Sequence, residues 1–159
     1  MKGKLLFLGG IAALVVAAAA GAAIVNGTSA DDTLAGTPSA DVIYAMAGND
    51  QADAGDGPDL VFGGSGGDRL YGGEGADSVF GDSGNDSLWA GPGPDRLFGG
   101  TGDDILHALA DDDQRDYLDC GPGHDTAVVN QAERGNYRIV RCEVIRIIVP
   151  TPAELAEDS

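Results

Sequence analysis

The chain has 159 residues, with 26 acidic and 9 basic side chains and a formal charge of −17. One domain with short end segments fits that length, and the acidic excess excludes the basic footprint that nucleic-acid binding needs; it favours a cation or plain solvent as the partner. Hydrophobic residues make up 43% of the chain, but the Ala-rich first 25 residues carry much of that share, and the Gly- and Asp-rich remainder is poor material for an ordinary packed core.

Lys2 and Lys4 form a positive n-region, and Leu5 through Val25 carry no charge. Small residues around Ala18, Ala20 and Ala22 offer A-x-A-like cleavage sites. Residues 1–25 therefore read as a secretory signal peptide, and the exported chain is expected to start between Gly21 and Asn26. The competing reading is an uncleaved anchor, because 21 uncharged residues are just long enough to span a bilayer. Gly9, Gly10, Gly21 and the alanines argue against it. Cleavage removes both lysines and leaves 26 acidic against 7 basic residues, or −19. The expectation is a secreted, extracellular protein with no membrane contact once the leader is gone.

From Asn26 to Leu106 the chain divides into nine gapless nonads, among them FGGSGGDRL, YGGEGADSV and FGGTGDDIL. Position seven is Asp in all nine: Asp32, Asp41, Asp50, Asp59, Asp68, Asp77, Asp86, Asp95 and Asp104. Position nine is Leu34, Ile43, Ala52, Val61, Leu70, Val79, Leu88, Leu97 and Leu106, all but Ala52 good core residues. Each nonad supplies about six residues of loop and about three of strand, too short to stand without stacked copies. Alternation along the strand turns position nine inward and positions eight and one outward. Two nonads make a coil of 18 residues, so Asp32, Asp50, Asp68, Asp86 and Asp104 share one edge. Asp41, Asp59, Asp77 and Asp95 share the other. Stacking at about 4.8 Å brings like charges together on each edge. Gly-rich loops can turn carbonyls toward a common point, and carboxylates with carbonyls make an all-oxygen site suited to a hard cation of calcium size.

The copies GGSGGDRL, GGEGADSV and GGTGDDIL resemble the RTX, or hemolysin-type, calcium-binding repeat, G-G-x-G-x-D-x-U-x. The resemblance covers residues 26–106 and implies an all-β parallel β-roll, a β-solenoid, with Ca²⁺ held between successive loops on each edge. Thr28 and Thr37 replace the second Gly in the first two nonads, and Ala30 and Ser39 replace the fifth-position Gly. Ala45, Ala54 and Ala90 replace the first Gly; Met46 and Asp82 replace the second. Good sites are therefore expected from Asp50 through Asp104, and weaker or absent ones at Asp32 and Asp41. The favoured gaps are 50/68, 68/86, 86/104, 59/77 and 77/95.

Position one carries Tyr44, Phe62, Tyr71, Phe80, Trp89 and Phe98. Cross-strand stacking accounts for such a ladder; the alternative is a surface for an extracellular protein, glycan or lipid partner. After Leu106 the frame breaks, and residues 107–150 read as an insertion, a last degenerate coil and a capping segment. Tyr137 through Val149 is expected to cover the open end of the roll, as solenoids require. The elements DYLDCGPGHDTAVV and RCEVI resemble the end module of actinobacterial proteins with these repeats. Cys120 and Cys142 are the only cysteines, and in an oxidising compartment an even pair reads as one disulfide. With only His107 and His124 as histidines, a zinc site is poorly supported. The segment from Thr151 to Ser159 is a short acidic tail.

No H-E-x-x-H occurs. Gly63 to Gly67 matches G-x-S-x-G formally but lies inside a repeat, away from any strand-to-helix elbow. The expectation is a non-enzymatic calcium-binding protein with a structural or surface-interaction role; the alternative is an accessory or docking module for a separate secreted enzyme or toxin.

Overall fold

Three-residue strands form sheet only by stacking on one another. In the computed structural model, which describes residues 14–16, 21–132 and 135–149, they stack as a two-sheet parallel solenoid. Residues 1–13 and 17–20 of the expected leader, and the acidic tail, lie outside the described residues. The strands are β1 (Leu14–Val16), β2 (Ile24–Asn26), β3 (Thr33–Ala35), β4 (Val42–Ala47) and β5 (Gln51–Asp53). Next come β6 (Leu60–Ser65), β7 (Arg69–Tyr71), β8 (Ser78–Ser83), β9 (Ser87–Trp89) and β10 (Arg96–Phe98). The last five are β11 (Ile105–Ala108), β12 (Asp116–Asp119), β13 (Thr126–Asn130), β14 (Tyr137–Val140) and β15 (Val144–Ile148). Odd-numbered strands form one sheet in chain order and even-numbered strands the other. Every strand pairing is parallel. Each coil thus contributes one strand to each sheet.

The register places position nine on position nine. Ile43 pairs with Val61 and Val61 with Val79 in the even sheet, while Leu70 pairs with Leu88 and Leu88 with Leu106 in the odd sheet. These residues fill the space between the sheets and are buried. Position two, expected only as a loop glycine, also faces this space: Ala45, Ala54, Ala90 and Ala108 are buried core residues. The glycines at position two lack a left-handed backbone, so what they supply is small size. At Gly81 a Cβ would lie 2.4 Å from the Gly99 carbonyl oxygen and 2.5 Å from Asp86 Oδ2. Ala45, Ala54 and Ala90 are therefore core substitutions at that position, and they leave the turn conformation intact.

Beyond Leu106 the degenerate coil rejoins the stack. Leu97 pairs with Leu118 and Leu106 with Ala127, an offset of 21 residues where earlier coils have 18. The three extra residues are absorbed in the loop between β11 and β12. The segment expected as a cap stacks in register on the last coil. β14 pairs with β12 and β15 with β13, so Tyr137 to Val149 adds one more coil. Its inward residues are left at an open end, with Ile145 51% and Ile147 43% exposed. The physical reason is register: the hydrophobic alternation of this segment matches the strands below it, and pairing satisfies its backbone. At the other end the roll begins before Asn26. Val25 pairs with Ile43 and is buried, and Ala23 N donates to Asp41 Oδ1 at 2.6 Å.

Candidate metal centre

Two rows of loops run along the roll. Loops leading from the even to the odd sheet form edge one; those leading back form edge two. The turn depends on backbone that L-residues rarely adopt. Met46 and Asp82, standing where the repeat has its second Gly, hold φ of 84° and 69°. At Gly66, with φ 129°, a Cβ would lie 1.7 Å from the Gly48 carbonyl oxygen of the preceding coil. Close approach between loops therefore demands glycine there.

The position-seven carboxylates form a ladder on each edge. From Asp50 onward, one oxygen of each accepts a hydrogen bond from the backbone N–H of the Asp one coil earlier. On edge one, Asp50 N donates to Asp68 Oδ1, Asp68 N to Asp86 Oδ1 and Asp86 N to Asp104 Oδ1, at 2.8, 2.8 and 2.9 Å. On edge two, Asp59 N donates to Asp77 Oδ1 and Asp77 N to Asp95 Oδ1, at 2.7 and 2.8 Å. The second oxygen behaves differently. In Asp50, Asp59, Asp68, Asp77, Asp86, Asp95 and Asp104 it is buried and has no hydrogen-bond partner. A buried carboxylate oxygen without a partner is costly, and such a row of them needs a counter-charge.

Asp32 and Asp41 are buried too, but their second oxygens are engaged. Thr28 N and Oγ1 donate to Asp32 Oδ2 at 2.5 and 2.9 Å. Thr37 N donates to Asp41 Oδ2. The two threonines at the second-Gly position thus take up the oxygens that remain unpaired elsewhere, at the two repeats where the sequence pattern is weakest.

Desolvation dominates the titration of the ladder in the protein alone. It lifts Asp59 and Asp86 to about 7, Asp68, Asp77 and Asp104 to about 6, and Asp95 to about 9. Asp50 and Asp125 are raised from the same cause. Neighbouring ladder carboxylates add to the rise at Asp59, Asp86 and Asp95, while backbone N–H donors oppose it. A hard cation reverses this balance by favouring the ionised form. Among the described residues no three His, Cys, Asp or Glu side chains converge on one point. The carboxylates one coil apart, with loop carbonyls, would offer a cation an all-oxygen donor set of the calcium kind.

The RTX calcium-binding nonapeptide repeat pattern matches the chain in four copies, over residues 26–61, 53–88, 62–97 and 89–114. The chain belongs to this family. The matched copies run across more than half of its length, and the buried unpaired oxygens of the roll fit the ion that the family's repeats bind. This RTX chain is thus a calcium-binding β-roll. No curated protein matches it.

Other parts of the RTX roll are also accounted for. Tyr44, Phe62, Phe80 and Phe98 stack along the even sheet with centroids 5.1, 5.0 and 4.7 Å apart. Tyr71, Trp89 and His107 stack along the odd sheet at 4.5 and 4.8 Å. Ring faces are thus used within each ladder, as the cross-strand reading expects. Cys120 and Cys142 are joined in a disulfide. Two features escaped the sequence reading. Asp125 continues the edge-one ladder, accepting from Asp104 N at 2.8 Å, and its Oδ2 is also unpaired. Position six carries a second ladder on edge one, in which Asn49 N donates to Asp31 Oδ1 and Asp103 N to Asn85 Oδ1. The signal for Asp125 was present: DCGPGHDTA is itself a nonad of the family type, hidden by the three-residue insertion before it.

Proposed function

We propose that this protein is a secreted, non-enzymatic calcium-binding roll that folds on meeting Ca²⁺ outside the cell and serves a structural or surface-interaction role. The observation that carries this reading is the row of buried, unpaired Oδ2 atoms at Asp50, Asp59, Asp68, Asp77, Asp86, Asp95 and Asp104. In this reading each contributes a carboxylate to ions in the gaps 50/68, 68/86, 86/104, 59/77 and 77/95. Asp32 and Asp41 contribute little, because Thr28 and Thr37 already engage their oxygens. Calcium supplies the counter-charge that lets like-charged coils stack. Its sites do not exist in the unfolded chain, so binding energy becomes folding energy. Affinities of about 10⁻⁴ to 10⁻³ M suffice in extracellular calcium. Secretion is supported by the charge-flanked apolar leader. The absence of a catalytic role is supported by Ser65, which closes β6 and leads into a repeat loop.

The test is circular dichroism of the exported protein. Chelator is expected to leave mostly unordered chain, and added calcium to restore strand cooperatively. Magnesium is expected to substitute poorly, because it prefers a smaller octahedral shell. A native strand spectrum in chelator, unchanged by calcium, overturns the reading.

A further inference from the structure

The edge-one ladder does not stop at Asp104. We propose that the roll has one more calcium position, between loops 100–104 and 121–125 and carried by Asp104 and Asp125, and that the Cys120–Cys142 disulfide holds it in shape. It would be the calcium position of the roll most sensitive to thiol reduction. The proposal rests on the calcium reading above and extends it to a loop beyond the matched repeats, which end at residue 114.

Three observations carry it. First, loop 121–125 keeps three contacts of the register of the loop below it, although Gly123 lacks the left-handed φ of Gly102 and Pro122 has no N–H where Thr101 donates to Asp82 O. Gly100 N donates to Cys120 O at 3.1 Å, Gly102 N to Pro122 O at 3.2 Å and Asp104 N to Asp125 Oδ1 at 2.8 Å. Gly121 holds the left-handed φ of 96° that the turn requires. Second, Asp125 is 0% exposed and its Oδ2 has no partner, as in the ladder below. Third, no comparable loop follows. Asp119 pairs with Val140 and Thr126 with Val144, so Arg141, Cys142 and Glu143 span in three residues what 120–125 spans in six.

Those three residues cannot form a glycine turn, and each ties itself to the coil below instead. Arg141 Nε and a terminal guanidinium N donate to Asp119 Oδ1 and Oδ2, both at 2.6 Å. Cys142 bonds covalently to Cys120, the residue that opens loop 121–125. Glu143 Oε2 accepts from Asp125 N at 2.8 Å, the place that the next ladder Asp holds on every lower coil. The disulfide therefore stands where one more loop and its ion would otherwise pin the coil. Opening it frees Glu143 from Asp125, and water reaches the loop from above. The 104/125 position weakens; the 68/86 position, two coils further down, does not.

The experiment counts calcium bound to the exported full-length protein by equilibrium dialysis and titrates it calorimetrically. Asp125→Asn is expected to bind one equivalent fewer than the unmodified protein, and Asp56→Asn, at an exposed loop position, the same number. Strand content in saturating calcium reports whether Asp125→Asn has folded. The second arm keeps the sequence and adds a dithiol, which takes up the two electrons' worth of oxidation as the protein disulfide becomes two thiols. One site is expected to weaken ~10–100-fold, as when a supporting contact behind a metal ligand is lost, while the others keep their affinity. Unchanged stoichiometry in folded Asp125→Asn, or an identical titration after reduction verified by thiol counting, overturns this proposal alone. A protein that binds no calcium overturns the parent reading with it.

Discussion

Asp77 and Asp56 carry the same charge in very different settings. Asp77 is buried, with Oδ1 held by Asp59 N and Oδ2 unpaired; Asp56 is exposed on a loop. Asp77 also faces two gaps, 59/77 and 77/95. Asp77→Ala is expected to weaken calcium binding by at least ~10-fold, the scale of losing a group that orders a metal site, and Asp56→Ala to change it little. Equal losses in a calcium titration point to diffuse attraction by the acidic surface instead. Acidity gives a second test. In the protein alone the ladder carboxylates titrate high through burial, with Asp68, Asp77 and Asp104 near 6, Asp59 and Asp86 near 7 and Asp95 near 9. The folded chain then binds more protons than the unfolded one between the ordinary carboxylate value and these raised ones, so stability rises as pH falls through that window. In chelator, strand signal is expected to grow as pH drops from about 7 toward 4. In calcium the trend reverses, because protons compete with the ion for the same oxygens. Strand content in chelator that falls with acidification contradicts the assignment of these carboxylates as the unpaired charge.

The strands are short, so each one's worth lies in its inward residue. Leu88 is fully buried between the sheets, whereas Ile145 holds the corresponding place on the last coil and is 51% exposed. Leu88→Ala is expected to cost about 2–5 kcal/mol in calcium-loaded protein, by transfer and cavity terms together. Ile145→Ala is expected to cost about 1 kcal/mol or less, because much of its area is already wet. Thermal unfolding of the two variants checks the contrast, and equal destabilisation means that the open end is covered in solution. β2 bears on where the exported chain begins. Val25 is in the core, Ala23 N donates to Asp41 Oδ1, and Thr37 Oγ1 donates to Gly21 O. A cut within the expected Gly21 to Asn26 window preserves this half-coil only if it falls at or before Ala23. Mass spectrometry of exported protein is expected to give a first residue between Gly21 and Ala23. A chain beginning at Asn26 shows that β2 is dispensable, and one beginning at Met1 favours an anchor.

At the scale of the whole roll, stability is a sum over neighbouring coils, since each coil touches only those above and below it. Residues 26–106 carry 15 acidic side chains against Arg69 and Arg96, a net of −13. One inward apolar residue per nonad, with a small one at position two, offsets little of that repulsion and of the entropy lost by glycine loops. In the proposed reading, ions in adjacent gaps would share carboxylates, so that filling one gap would order the next. The rise of strand signal with calcium is therefore expected to be steeper than for independent sites, and Asp77→Ala is expected to move its midpoint upward and flatten it. A midpoint unmoved by Asp77→Ala removes the shared carboxylate as the source of cooperativity.

The nonad period, inward position nine and coil of 18 residues were legible in the amino-acid sequence, and so was the arrangement of the position-seven carboxylates in two rows. They follow from a local pattern repeated often enough that only one stacking buries its apolar stripe. The departures of the first two repeats were legible too, though their contacts were not: Thr28 and Thr37 donate to carboxylates four residues on, an arrangement that depends on the turn already formed. Tertiary structure decided that position two faces the core, because strands β4, β6 and β8 run on past position one and alternation turns the next residue inward. It alone brought Asp125 back into the ladder, across an insertion that the other edge absorbs. It also made the final segment a further coil with an open end, because Tyr137 to Ile148 met the edges of β12 and β13 in register. Each of these outcomes turns on which backbone group 18 or 21 residues away arrives within hydrogen-bonding distance, and a sequence pattern specifies that only where it repeats without interruption.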